Sequence, residues 1–269
     1  MSQDDALVFR ALHAGPEILV LPNAWDAASA ALMADAGARA VATSSAAVAW
    51  SHGYPDGNLL PVDRLAATLE CVVAAVSVPV TADIEGGYSD DPAEVADTVA
   101  RLIDVGVVGV NLEDGDGEPD LLARKIEAAR EAATRADVNL FINGRTDVYL
   151  HRLAEGEAAL DESLRRAALY CSAGADGIFV PGPVEPGLIG RLVEGVGAPL
   201  NVMGRGGAPS AAELQALGVR RLSSATGPFR AAYAALNRAM AGFLATGDAN
   251  ALADLGQGLP NLNVRFSDR

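Results

Sequence analysis

The chain has 269 residues, 50% of them hydrophobic, with a formal net charge of -15 at pH 7. That length and apolar content can bury one large core, and no interior stretch is rich enough in Pro, Gly and Ser to act as a linker. One domain over 1–269 is expected, with 246–269 as a C-terminal tail. No local basic cluster offsets the negative charge, which excludes nucleic acid and anionic membranes as partners. The acidic opening Met1-Ser2-Gln3-Asp4-Asp5 lacks the basic and apolar regions of a signal peptide, and no apolar run is long enough to span a bilayer. Cys71 and Cys171 fall in helical patterns without CxxC spacing, which argues against a disulfide framework or a zinc site and fits a reducing, cytoplasmic setting.

Short β-rich runs alternate with Ala/Leu-rich segments of helical period along the chain. A strand at 18–21 precedes a helix at 27–36, then a strand at 40–44 a helix at 61–75, and a strand at 78–85 a helix at 92–105. The pairs continue with 109–113 and 119–135, 139–145 and 160–173, 177–180 and 187–194, 200–203 and 210–217, and 221–224 and 228–245. Glycines 37, 106, 174 and 218 follow helices, where a left-handed cap is needed. Eight βα pairs predict a closed (β/α)8 TIM barrel. A doubly wound open sheet is the alternative, but the phosphate-binding glycine fingerprint is missing after the first strand.

A barrel of this kind works at the C-terminal ends of its strands, so position selects candidate residues. In Thr81-Ala82-Asp83-Ile84-Glu85-Gly86-Gly87-Tyr88 an apolar run ends in two acids at i and i+2, which in a strand share a face. The pattern recurs at Asn111-Leu112-Glu113-Asp114. Repeated carboxylates at strand ends suit a hard divalent cation, although solvated turn acids have the same composition. The same rule selects 22–26, Ser44-Ser45-Ala46, Arg145 with Asp147, Pro181, Asn201 and Ser224. His52, in a loop above the strand ends, is either a proton carrier or a loop hydrogen-bonder. Tyr88 either bonds substrate or packs beneath its loop. Asp26 is expected to cap the first helix, and His13 and His151 are expected at the surface.

These residues resemble the isocitrate lyase/phosphoenolpyruvate mutase superfamily across most of the barrel. Asp83 to Tyr88 is similar to its Asp-Ala-Asp-Thr-Gly-Tyr/Phe segment, with Glu85 replacing the second Asp, and Leu112-Glu113-Asp114 to its Leu-Glu-Asp. Ser44-Ser45-Ala46 falls at its carboxylate-binding Ser-Gly motif, Asp56 at its loop aspartate, and Arg145 at its Ala-Arg-x-Glu/Asp arginine. The resemblance implies that magnesium, with manganese as an alternative, is held directly by Asp83 and through waters by Asp56, Glu85 and Glu113. It also implies a small 2-keto or 2-hydroxy acid gripped by Arg145 and Ser44 to Ala46. Position, not the resemblance, adds Asn201 and Tyr88 as substrate contacts, and Arg145, Asp56 and His52 are the catalytic candidates. A homo-oligomer, dimer or tetramer, exchanging the eighth helix is implied too.

One departure is as informative as the matches. The lyase branches of that superfamily carry a Lys-Lys/Arg-Cys-Gly-His lid after the fourth strand. Here the chain reads Glu113-Asp114-Gly115-Asp116-Gly117-Glu118-Pro119 and enters the next helix at once. The expected activity is C–C bond making or breaking through an enolate, with weak turnover of isocitrate-type substrates. Decarboxylation or hydrolysis of an oxaloacetate-like acid, P–C chemistry on a phosphonopyruvate-like acid, and non-catalytic keto-acid binding are the alternatives.

Overall fold

A computed structural model of the protein describes residues 3–267. Helix α1 (Gln3–Ala14) leads into β1 (Leu19–Leu21) and β2 (Asn23–Ala24), followed by α2 (Ala27–Asp35), β3 (Val41–Thr43), α3 (Ser45–Ser51) and α4 (Val62–Ala75). Next come β4 (Val80–Asp83), α5 (Pro92–Asp104), β5 (Gly109–Glu113), α6 (Pro119–Arg135), β6 (Phe141–Arg145) and α7 (Gly156–Ser172). The last part holds β7 (Gly177–Phe179), α8 (Pro186–Val196), β8 (Leu200–Met203), α9 (Ala211–Ala216), β9 (Arg221–Ser223), α10 (Gly227–Thr246), α11 (Asn250–Gly256) and α12 (Leu262–Ser267).

Every strand pairing is parallel, and the sheet closes through its first strand. Pro22, which has no N–H to donate, splits that strand in two. β1 pairs with β9 and β2 with β3, while the Pro22 carbonyl still accepts the Ala42 N–H at 2.9 Å. Nine strand segments therefore make eight staves, the predicted (β/α)8 barrel. Its largest core lies between sheet and helices, where Leu65, Leu69, Val99, Leu102, Ile126, Ile142 and Leu192 are buried. Asp26 caps α2 through a reciprocal pair with Ser29, as its position after the first strand predicted. No helix among the described residues is long and apolar enough to cross a membrane.

Three features differ from the sequence expectation. Helix α1 was not foreseen: its inward stripe of Ala6, Phe9, Leu12 and His13 has helical spacing, but exposed Leu7 and Val8 blur its polarity. It plugs the N-terminal end of the barrel, with Phe9 edge-on to Phe141. His13, expected at the surface, is buried there and stacks on Phe141 at 4.0 Å. Its Nδ1–H donates to the Phe9 carbonyl at 2.8 Å, and burial, with help from Arg221, pushes its pKa down to about 3. The segment expected as an extended tail instead forms α11 and α12, and Arg265 ties α12 back to this chain through Asp35 (2.9 Å) and the Ala75 carbonyl (3.2 Å). Its last residues, 268–269, lie outside the described ones.

Helix α10 runs 20 residues but buries only Phe229 and Ala239. Correspondingly, Val20 on β1 is 54% exposed on the outer face of the barrel, where a helix ordinarily covers a strand. Deep in the barrel, by contrast, space is tight. A methyl group at Gly109 would sit 2.7 Å from Phe9 Cε1 and 2.9 Å from Thr81 Oγ1. Gly109→Ala should lower stability by about 1–3 kcal/mol, the usual cost of overpacking a filled core. Urea denaturation checks this, and an unchanged midpoint would mean that α1 does not seat as described.

Candidate active site at the C-terminal end of the barrel

A cavity of about 150 Å³ opens at the C-terminal strand ends, lined among others by Asn23, Ser44, Ser45, Ala46, Asp56, Asp83, Asn111, Arg145 and Phe179. Asp83 ends β4, and its Oδ2 accepts from the Ser45 N–H (3.2 Å) and hydroxyl (3.0 Å). Its Oδ1 is buried and has no partner. Ser44 caps the unforeseen helix α3, accepting from the Ala47 N–H, which fixes Ser44 to Ala46 against the cavity. Asp56 sits on the exposed rim, where partial burial and the charge of Asp83 raise its pKa.

Arg145, at the end of β6, is held from two sides. Its Nη1 pairs with Glu113 Oε2 at 2.5 Å, its Nε donates to Asp147 Oδ1 at 2.7 Å, and its guanidinium lies over the Phe179 ring. Burial pushes Glu113 upward against the opposing pull of Arg145, with Asp83 and Asp147 adding to the rise. Asp114 braces this arrangement from behind. Its Oδ1 accepts the Asp147 N–H at 2.8 Å, and its Oδ2 takes Arg166 Nη1 at 2.9 Å and the Tyr170 hydroxyl.

Glu85 does not share a face with Asp83, because the strand has ended: Glu85 has φ 52°, in the left-handed region. Its Oε2 turns instead to the 53–58 loop, accepting the Gly57 N–H at 2.8 Å and the Asn58 N–H. Asn58 Oδ1 replies by accepting the Gly86 and Tyr88 N–H groups at 3.0 and 3.1 Å. Tyr88 lines a neighbouring cavity with Asn58, Asp90 and Lys125. His52 caps the end of α3 and bonds Thr68 Oγ1 at 2.8 Å, away from the cluster, and Asn201 lies in the barrel interior, where its Oδ1 accepts from Ser223. The structure thus gathers Ser44, Ser45, Ala46, Asp56, Asp83 and Arg145 in one cavity, places Glu113 behind Arg145 in the lining of a neighbouring cavity, and leaves Glu85, Tyr88, His52 and Asn201 outside it. Asn23, within the selected 22–26, lines the cavity too, while sequence reasoning passed over Asn111, Phe179, Met203 and Thr226, which also line it. An asparagine inside an apolar strand, such as Asn111, is the one signal that pointed to any of them.

Among the described residues no three His, Cys, Asp or Glu side chains converge as a ready chelate. The donor set nonetheless fits a hard cation such as magnesium, which takes one or two carboxylates directly and keeps its waters. Among the described residues Asp83 Oδ1 is buried without a partner, and Asp56 and Glu113 are raised by burial and further by the charge of Asp83, a repulsion that a cation relieves.

The fold and site define a βα-barrel enzyme with carboxylates and an arginine gathered at the C-terminal ends of its strands. Residues 9–244 match the phosphoenolpyruvate phosphomutase family, and the chain belongs to it, within the isocitrate lyase/phosphoenolpyruvate mutase superfamily of lyases and mutases. It is 37% identical over 238 residues to an uncharacterised Mycobacterium tuberculosis protein, covering 87% of this chain and 88% of that one. It is 31% identical over 229 residues to 2,3-dimethylmalate lyase of Eubacterium barkeri, covering 79% and 77%. A crystal structure of a putative phosphonomutase from Burkholderia cenocepacia superimposes with a TM-score of 0.84 at 44% identity, covering 87% of this chain and 98% of that one.

The brace behind Arg145 can be tested by itself. Asp114→Ala leaves the Tyr170 hydroxyl and the Asp147 N–H without their acceptor and leaves Arg166 paired with Glu162 alone, and stranding a buried polar group typically costs about 1–3 kcal/mol. Chemical denaturation should show a loss in that range. A loss under about 0.5 kcal/mol, typical of a surface change, would show that the brace contributes nothing.

Proposed function

We propose that the protein is a magnesium-dependent lyase acting on a small 2-keto or 2-hydroxy acid, making or breaking a C–C bond beside a carbonyl through an enolate. The observation that carries this reading is the pairing, in one cavity, of the unpartnered Asp83 Oδ1 with the guanidinium of Arg145. Arg145 and the Ser44 to Ala46 segment grip the substrate carboxylate, the arginine by a charge-assisted contact sharpened by burial. Glu113 and Asp147 keep the guanidinium from following the ligand, so orientation is set before binding. Asp83, with Asp56 and Glu113 behind it, would hold the cation, which when bound supplies charge stabilisation to the developing enolate oxygen.

Residues 114–118 close directly between β5 and α6, and Cys71 and Cys171 lie on α4 and α7, so no thiol covers the site. The short turn favours a small acid over an isocitrate-type substrate. It also supports a second reading, decarboxylation or hydrolysis of an oxaloacetate-like acid, which depends less on a lid. Assays with magnesium on isocitrate, methylisocitrate, 2,3-dimethylmalate, oxaloacetate and phosphonopyruvate separate these. Turnover of isocitrate or methylisocitrate at the ordinary enzymatic level of about 10⁴ M⁻¹s⁻¹ or above would contradict the small-acid reading. Release of phosphate from phosphonopyruvate would redirect it to P–C chemistry, and binding without turnover of any acid would leave a binding protein.

Two variants test the site. Asp83→Ala should abolish the rise in melting temperature given by magnesium with oxalate, while circular dichroism stays unchanged; a preserved rise would place the cation elsewhere. Arg145→Lys keeps the charge but loses the planar fork. It should weaken oxalate binding by about 2 kcal/mol or more, the lower range for truncating one partner of a buried charge pair, and equal affinity would refute the fork. The exposed Val20 stave and the little-buried α10 further support a homo-oligomer in which α10 covers the barrel of a second copy. Light scattering should give a dimer or tetramer, and a monomer at micromolar concentration would remove this part of the proposal.

A further inference from the structure

Arg221 is the largest fully buried side chain of the protein, 1% exposed at the start of β9 inside the barrel. A guanidinium there is costly, and burial lowers its pKa to about 9. No carboxylate of the described residues forms an ion pair with it, although the charge of Asp83 opposes the fall. Among the described residues its guanidinium makes one hydrogen bond to protein, from Nη2 to Asn111 Oδ1 at 3.1 Å, while Nε and Nη1 have no partner. Asn111 Oδ1 also accepts from Asn143 Nδ2 at 2.9 Å. Asn111 stands on β5 between Asp83 and Asn143 in the strand register, and its side chain lines the cavity shared by Asp83 and Arg145.

The chemistry of arginine decides which way this amide faces. A guanidinium has only donors, so the atom it meets must be the amide oxygen. With that oxygen taken by two donors, the amide turns its NH₂ from them. The structure assigns to Asn111 the role of a neutral hydrogen-bond donor to the ligand, and to Arg221 that of the positioning residue that fixes the amide with its NH₂ toward the cavity. The ligand atom in question is an acceptor near Asp83, which fits the keto or enolate oxygen of a 2-keto acid and disfavours an ammonium at the same place. A fixed donor directed at an oxygen that gains charge in the reaction stabilises the charged state more than the ground state. A barrel-filling arginine without this role would give the same burial but no coupling to ligand.

The inference rests on the keto-acid reading above, and the test separates the two. Oxalate binding is measured calorimetrically in magnesium buffer for the wild type, Asn111→Ala, Asn111→Asp, Arg221→Met and the Asn111→Ala/Arg221→Met pair, with circular dichroism as the check on folding. Asn111→Ala should weaken binding about tenfold or more, the usual worth of a hydrogen bond to a charged group. Asn111→Asp, which still accepts from Arg221 but turns an oxygen to the ligand, should weaken it further. Arg221→Met should weaken binding in the wild-type background and change it little once Asn111 is alanine. Equal effects of Arg221→Met in both backgrounds would overturn the positioning role alone, and wild-type affinity in Asn111→Ala would overturn the donor role as well. A wild type that binds no oxalate would sink the keto-acid reading itself, and this inference with it. Should Arg221→Met not fold, Asn143→Ala removes the other donor to the same oxygen and is judged by the same non-additivity.

Discussion

The guanidinium of Arg145 is tied to two carboxylates that come from different strand ends, Glu113 from β5 and Asp147 from just beyond β6. Much of the rim depends on those two contacts. They hold the only arginine among the described residues that lines the cavity, they fix the separation of adjacent staves, and they bring more negative than positive charge into a half-dry space. Asp114 makes the arrangement rigid by gripping the Asp147 backbone while itself held by Arg166 and Tyr170 on α7. Asp83 and Asp56 add negative charge on the cavity side of the guanidinium, so an anion brought to this arginine would need a cation to offset that charge.

A second, independent clasp shapes the other side of the mouth. Glu85 caps the N–H groups of Gly57 and Asn58, and Asn58 caps those of Gly86 and Tyr88. Four backbone donors are satisfied by two side chains facing in opposite directions, so the 53–58 loop and the 85–88 turn move together or not at all. Asp56 is carried by that loop. Its distance from Asp83 is therefore governed by a residue, Glu85, that belongs to the acidic motif yet acts on the backbone.

Much of this was legible in the sequence, and the parts that were not have identifiable causes. The alternation of strand and helix patterns gave the barrel, and the strand-end rule gave Asp83, Arg145 and Ser44 to Ala46 because these residues depend only on where a strand stops. Glu85 was misplaced because alternation holds only within a strand, and the chain enters a left-handed turn two residues after Asp83. His52 was drawn toward the site by sequence proximity, but α3, hidden in a run of alanines, carries it round to Thr68. Helix α1 escaped notice because exposed Leu7 and Val8 break the polarity of its outer face. Arg221 was missed for a different reason: its pairing with Asn111 inside the barrel is a tertiary fact, and the apolar run around Asn111 signals a buried amide but not its partner.

The turn from Asp114 to Glu118 has a consequence for the fate of a reactive carbanion. Five residues pass straight from β5 into α6 and place no long segment over the cavity. On the proposed reaction, an enolate formed there would take its proton from water and not from a side chain of this turn. The stereochemistry of the new C–H bond would then be set by how water enters, and its hydrogen would come from the medium. A barrel with so short a turn would trade facial selectivity for freer exchange of small acids with the surroundings.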